Sequence, residues 1–504
     1  MLKKIELSNR VAMMFGIVVG LISLLPRLLN PDLGIDQLLR NEDGPVFINQ
    51  SILGIQSLWE PYAGYLHLYP RIVAWIASGF ALEATPFILT LGWFLTFVLL
   101  VVVIMDRALK TGLGPWGGMI LVALISLQPH GGEVFLNITN AQWLLGIALA
   151  LYLLVDGQKK PSYLEMILLF VVCLTGPFVV LLLPVFLLRG FIFKEFKKRS
   201  ITYLIVLVCA LVQIIIFLNS ERRSEVDGRL MNTDIMTWLQ VFAIFIVFQK
   251  KGYAILGPLI FWLGSAYVGI RSLFASDPSV IRDRNTAFLL VIAAGIIFLA
   301  GALGAGPSPL EIGPFAAGSR YYMVPYGLLF FAIGLLAYPF KYVRLFLSVT
   351  LFVLCITMVY PLNRPPLQFY AFAEFAKHNS DVIIPILNNN QRNWHVKGSV
   401  AKPAQNPVKP FRIYELPNTS HATNWCPDSQ YVGLEVNMMH KNEGWVKAYW
   451  STDNNFSAQN ALERYYPVGL MDIYIAFPNT EGPLFFKLDG QAQINWIDIY
   501  CLGN

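Results

Sequence analysis

The sequence predicts a multi-pass α-helical membrane domain followed by a soluble, mostly β carboxy-terminal domain. Three observations predict it. Of the 504 residues, 56% are hydrophobic and only 13% are charged, where a soluble domain carries roughly 25% charged residues. The apolar residues are also clustered: the runs that begin at Val11, Phe87 and Ile201 lack charges and approach the roughly 20 residues that cross a bilayer. Past about residue 361 the sequence turns polar and rich in Asn and Pro, with no further spanning run. The expected domains are therefore residues 1–360 in the membrane and 361–504 outside it.

Spans are expected to start at roughly residues 11, 85, 114, 141, 163, 177, 201, 253, 286, 321 and 344, about eleven in all. Lys3, Lys4 and Arg10 precede the first run. That run is too long for a signal peptide and no small-x-small cleavage site follows it, so it reads as a first membrane helix with a cytoplasmic start. Basic residues mark the inner loops: Arg107 and Lys110, Lys159 and Lys160, the cluster from Arg189 to Arg199, then Arg271, Arg282 and Arg284, and Lys341 with Arg344. The segment Met236 to Lys251 has two readings, a span or an amphipathic helix along the outer interface. Leaving it out of the count puts the carboxy-terminal domain outside, which is the expected orientation. Cys173, Cys209 and Cys355 sit in apolar runs, whereas Cys426 and Cys501 are the pair in the soluble domain. They form either a disulfide in an oxidising compartment or two buried thiols.

Chemistry belongs in the outer loops. The first, roughly Asn30 to Pro70, opens with the acidic pair Glu42-Asp43 and continues with Trp59, Tyr62, Tyr65, His67 and Tyr69, just before Arg71. A carboxylate above a membrane helix is suited to take a proton from a hydroxyl, and Asp43 before Gly44-Pro45 also suits a helix cap. The tyrosines and tryptophan suit an interfacial belt. The second loop, His130 to Trp143, gathers Glu133, Asn137, Thr139, Asn140 and Gln142, a hydrogen-bonding wall for a hydroxyl-rich ligand. A third patch holds Arg222, Arg223 and Arg229, either to meet a lipid phosphate or neutralised by Glu221, Glu225 and Asp227. In a fourth, Arg320 stands between Ser319 and Tyr321-Tyr322, where a guanidinium either snorkels to headgroups or clamps a phosphate.

Glu42-Asp43 in a long first loop, the polar second loop GGEVFLNITNAQW and the late Ser319-Arg320-Tyr321 together resemble the GT-C superfamily of glycosyltransferases, over residues 1 to 360. The bacterial O-antigen-modifying glucosyltransferases are the nearest in character. The resemblance implies a bacterial inner-membrane enzyme that takes sugars from polyprenyl-phosphate donors on the periplasmic side. The carboxy-terminal segments GWVKAYWSTDNNFSAQNALERYYPVG, MDIYIAFP and PLFFKLDGQAQINWIDIYCL read as alternating strands between turn residues, and they resemble the β-sandwich (jelly-roll) domains of surface-polysaccharide enzymes. Trp394, Trp425, Trp445 and Trp450 serve there as core aromatics or as stacking platforms for sugars.

On this reading Asp43 or Glu42 deprotonates the acceptor in an inverting transfer onto an O-antigen or lipopolysaccharide glycan. Arg320, Tyr321, Arg222, Arg223 and Arg71 meet the donor phosphate and lipid, and His67, Glu133, Asn137 and Asn140 meet acceptor or sugar. No cofactor or metal is expected, since no metal-ligand spacing or Gly-rich phosphate loop occurs. The partners are the lipid-linked sugar, the glycan acceptor and membrane lipid, with no nucleic acid. The alternatives are a polysaccharide polymerase or ligase using undecaprenyl-pyrophosphate glycans, and a lipid-linked oligosaccharide flippase or transporter. Mid-helix positions almost free of charge, without internal repeats, argue against the transporter.

Overall fold

The structure is a computed structural model that describes residues 8–30, 33–39, 41–155, 160–247, 256–304, 309–314, 318–359, 361–362, 368–386, 395–414, 426, 429–440, 444–451, 461–466, 469–479, 485–489 and 492–503. Trp394 and Trp425 lie outside these residues, and the side chains of Trp445 and Trp450 are likewise not described. In chain order the helices are α1 (Asn9–Leu28), the single turn α2 (Asn49–Ser51), α3 (Leu68–Ser78), α4 (Thr85–Leu109), α5 (Gly114–Leu127), α6 (Ala141–Leu154), α7 (Tyr163–Cys173) and α8 (Phe178–Phe193). They continue with α9 (Ser200–Leu218), α10 (Arg222–Asn232), α11 (Ile235–Val247), α12 (Leu256–Leu273), α13 (Pro278–Gly304), α14 (Arg320–Ala337), α15 (Lys341–Met358) and α16 (Phe369–His378).

A helix occurs at each of the eleven expected spans. Among the described residues, five helical stretches are long and apolar enough to cross a membrane: Asn9–Leu28, Leu82–Leu109, Ser200–Leu218, Pro278–Gly304 and Arg320–Ala337. Large apolar side chains such as Leu25, Leu204 and Leu263 point outward. Water solvates such a surface poorly and a lipid bilayer solvates it well. These are the features of a helical membrane protein. Met236 to Lys251 begins within α11, and its end lies beyond the described residues.

The chain divides into two compact units. One comprises Met1–Pro31, Trp59–Pro70 and Trp93–Leu362, and the other Asp32–Leu58, Arg71–Gly92 and Asn363–Asn504. The break at 362 falls beside the change in composition. By contrast, Asp32–Leu58, most of α3 and the start of α4 group with the carboxy-terminal residues instead of with α1.

Within the helical unit, buried arginines cap helix ends. Arg199 donates to the carbonyls of Leu153 (2.8 Å) and Tyr152 (3.2 Å), and Arg189 donates to Leu154. These are the carbonyls that the last turn of α6 leaves without intrahelical partners. Glu195 lies between the two arginines, 3.1 Å from Arg189 and 3.7 Å from Arg199. Two of the basic residues in the cluster expected to mark an inner loop are thus internal caps, while Lys194, Lys197 and Lys198 are exposed.

The second unit is built on antiparallel sheets with strands β1 (Ile383–Pro385), β2 (His395–Lys397), β3 (Phe411–Ile413), β4 (Tyr431–His440), β5 (Gly444–Ser451), β6 (Ala461–Tyr466), β7 (Gly469–Pro478), β8 (Phe485–Asp489) and β9 (Ala492–Leu502). The sheet orders are β1-β2, β3-β9-β4-β7 and β6-β5-β8. Alternation splits the four-stranded sheet into two faces. Val432, Leu434, Val436, Ile473, Ile475, Phe477, Ile497 and Ile499 are all buried on one of them. On the other, the α16 residue Phe375 packs over Gly433 and against Tyr474 and Tyr500. A larger side chain at 433 would collide with that ring, which lies 2.9 Å from where a Cβ would stand. The helix α16, absent from a mostly β expectation, therefore completes this core. Cys426 and Cys501 are joined in a disulfide with a Cα–Cα distance of 5.2 Å.

Candidate functional site

The candidate site is a cavity of about 330 Å³ in the helical unit. Its polar lining comes from Tyr65, His67, Gln142, Arg222 and Tyr321. The rest is apolar, including Leu181 of α8, Ile214 and Phe217 of α9, and Ile297 of α13.

Irregular backbone brings Tyr65 and His67 here. Residues 66–69 pair with 174–176: Leu68 N–H donates to Leu174 O (3.1 Å), Gly176 N–H to Leu66 O (2.8 Å), and Tyr69 N–H to the Thr175 hydroxyl (3.1 Å). Gly176 has φ +82°, and the Gln142 side chain occupies the space a Cβ would need, so both conformation and room require glycine. His67 Nε2 donates to Tyr62 O at 3.1 Å. Tyr65 stacks on Phe217 with centroids 5.5 Å apart. Burial raises the pKa of its phenol, so Tyr65 stays a hydroxyl donor at neutral pH.

Arg222 opens α10 and donates to the carbonyl of Gly304, while Arg229, two turns on, donates to Leu303 O at 2.8 Å. The two cations thus sit at the carbonyl end of α13, where the helix dipole favours positive charge. Glu225 lies 3.3 Å from each. Arg223 points elsewhere: its side chain is 54% exposed and pairs with Asp227 at 3.7 Å.

The segment from Glu133 to Trp143 forms a continuous chain of contacts beside this cavity. The Asn137 side chain accepts from the Asn140 backbone N–H (3.0 Å), and the Asn140 amide donates to Glu133 O (2.9 Å). Trp143 Nε1 donates to Asn140 Oδ1 (3.2 Å), and its indole meets Tyr321 edge to face at 5.2 Å. Glu133 accepts from the backbone N–H groups of Gly318 (3.1 Å) and Arg320 (3.4 Å), and its other oxygen lies 3.4 Å from the Arg320 guanidinium. Beside Ser319 and Arg320 the structure thus places the chain's own Glu133 carboxylate. Asn140 stands in the cap position of α6 without a side-chain cap bond, so its amide serves this network instead. Nearby, burial lowers His130 to about 4, and the neutral ring donates from Nδ1 to Pro314 O at 2.8 Å.

Glu42, Asp43 and Arg71 belong to the second unit. Asp43 is buried and Glu42 half-buried, and Asp43 makes no side-chain cap bond to the turn Gly44–Ile48 that follows it. Arg71 is buried, donates to Gln50 Oε1 at 2.9 Å and lies over the Phe47 ring. Asn49 fastens this segment to β2 by donating to His395 O (3.2 Å) and accepting from Lys397 N–H (2.8 Å).

Sequence reasoning passed over Gln213, buried in α9 with its amide bonded to Leu66 and Gly176. The signal available was one amide in an otherwise apolar run, since polar groups inside spanning helices face the protein interior. Among the described residues there is no cluster of three or more His, Cys, Asp or Glu that would hold a metal ion. No protein-family model matches the chain, and neither curated proteins nor solved structures give a match.

Proposed function

We propose that the chain is a membrane-embedded glycosyltransferase of the GT-C type that moves a monosaccharide from a polyprenyl-phosphate donor onto a cell-surface glycan. The cavity carries this reading: a guanidinium, an imidazole, an amide and two phenols stand at its polar side, and aliphatic helix residues line the rest. An isoprenoid phosphate has the matching division, an anionic head on an apolar chain. The volume of about 330 Å³ is near the lower end of the roughly 300–1,000 Å³ of small-molecule sites. That size favours one sugar on phosphate over the oligosaccharide head of a polymerase, ligase or flippase substrate.

Arg222 is the cation that would neutralise the departing phosphate, which is how fixed charge lowers the barrier of such a displacement. A single inverting displacement needs a base for the acceptor hydroxyl, and Asp43 and Glu42 are the candidates. The wider setting is a bacterial inner membrane with eleven spans and a periplasmic carboxy-terminal β-sandwich. The Cys426–Cys501 disulfide fits an oxidising compartment. The buried apolar face of the four-stranded sheet fits a second sheet packed about 10 Å away.

The test is mass analysis of surface glycans from cells that carry or lack the gene. Loss of one monosaccharide per glycan or repeat is the expected result. Loss of whole repeats would instead indicate a polymerase, and unchanged glycans would remove the proposal.

A further inference from the structure

Gln213 sits in the last third of α9 with none of its side chain exposed. Its Oε1 accepts from Leu66 N–H at 2.9 Å, and its Nε2 donates to Leu66 O (3.2 Å) and Gly176 O (3.1 Å). One side chain thus meets both backbone polar groups of Leu66 and ties that residue to Gly176. Non-helical backbone buried away from water persists only where protein groups satisfy it, and Leu66 is 2% exposed. Leu66 lies between Tyr65 and His67, both of which line the cavity, and on α9 the adjacent Ile214 and, one turn beyond Gln213, Phe217 line it too.

We propose that Gln213 is the positioning residue of this cavity: its amide fixes residues 65–67, and so holds the Tyr65 phenol and His67 imidazole in place against the ligand. The inference rests on the reading of the cavity as the donor site, and it names what aligns the polar wall there. Arg222 is held separately, by the end of α13. Loss of Gln213 therefore disturbs alignment more than capture of the donor, and misplacement by about 1 Å costs up to roughly 100-fold in rate.

The experiment uses the full chain in detergent, as wild type, Gln213→Leu and Gln213→Glu. Leucine removes all three hydrogen bonds, and an ionised glutamate keeps the shape while losing both donors. Diethyl pyrocarbonate is added, and modification is followed by mass spectrometry at each of the six histidines. We expect His67 to react about tenfold faster in both variants, with the rates of the other histidines unchanged. Transfer from a geranylgeranyl-phosphate sugar should show kcat at least tenfold lower with KM for the donor within about twofold. Gln213→Asn, which retains donor and acceptor, should recover part of both. Unchanged His67 reactivity in Gln213→Leu overturns the proposal, and so does faster His67 reaction with unaltered kcat. Equal acceleration at all histidines also overturns it, by showing general unfolding. If the wild type transfers no sugar, the transferase reading falls, and the His67 rates still decide the role of Gln213.

Discussion

Glu133 and Arg320, 187 residues apart in sequence, are partners: the guanidinium lies 3.4 Å from one carboxylate oxygen, and the other oxygen accepts from the Arg320 and Gly318 backbone N–H groups. The carboxylate thereby meets the first turn of α14, where the helix dipole favours negative charge. Gly318, with φ +85° and Ile312 3.0 Å from where a Cβ would stand, gives the turn that aims its N–H at Glu133.

This pairing makes Glu133→Ala more costly than Arg320→Ala. Removing the carboxylate leaves two backbone donors without it, at about 1–3 kcal/mol. Removing the arginine, a quarter of whose side chain is exposed (26%), leaves a carboxylate still held by backbone. Thermal unfolding of the two single variants and the double variant in detergent is the check. The expected outcome is a double variant less destabilised than the sum of the singles, since the pair shares one interaction. Strict additivity would contradict the pairing.

Asp43 and Glu42 should separate in activity. Asp43→Asn keeps the shape of a buried side chain and removes its basicity, so transfer should fall by roughly 10²–10⁴-fold with insertion and thermal stability little changed. Glu42→Gln, at a half-buried position, should retain most activity. The reverse order would assign the base to Glu42, and full activity of the double variant would exclude both.

The disulfide gives a third expectation. Cys426 and Cys501 are 75 residues apart, and closing a loop of that length stabilises a domain by about 4 kcal/mol in the chain-entropy account. Alkylation without reductant should leave both cysteines unlabelled, and reductant should add two labels. Cys426→Ser with Cys501→Ser should lower the unfolding temperature of the carboxy-terminal part. Full labelling without reductant would contradict the bond.

Glu435 carries a pH signature. Burial raises its pKa above the ordinary value, with nearby Asp472 and Asp498 adding to the rise and the Tyr500 hydroxyl bond partly opposing it. The folded sheet therefore holds this proton more tightly than the unfolded chain does. The resulting stability is fully present below the ordinary carboxylate range and is lost as pH rises through the raised pKa. Unfolding temperature should fall over that interval in the wild type, and Glu435→Gln should flatten the fall. Identical pH profiles would show that Glu435 does not titrate in this way.

The helices were legible because bilayer-spanning runs are a property of composition: the charge-free run from Ile201 announces α9 without any partner. What α9 does was not legible. Gln213 is a single amide in that run, and its partners Leu66 and Gly176 are brought to it only by the fold. The Glu133–Arg320 pair was half legible, since each residue stood out and only their contact was hidden. The grouping of Glu42 and Asp43 with the carboxy-terminal unit depends on contacts such as Asn49 to β2, across 346 and 348 residues. Local pattern contains no trace of such contacts. The buried role of Arg189 and Arg199 was likewise invisible, because a cap on a distant helix and a cytoplasmic anchor are spelled with the same residue.

The most direct test of the account is sugar transfer by purified protein in vesicles, followed from a geranylgeranyl-phosphate sugar for wild type, Arg222→Ala and Arg223→Ala. Wild type should release geranylgeranyl phosphate and label the glycan acceptor. Arg222→Ala should raise KM for the donor or lower kcat by about 10-fold or more, as loss of a charge-assisted bond of about 1.5–3 kcal/mol implies. Arg223→Ala, exposed and paired with Asp227, should match wild type. Equal transfer by all three proteins would remove the cavity from the reaction, and no transfer by the wild type would contradict the proposed function itself.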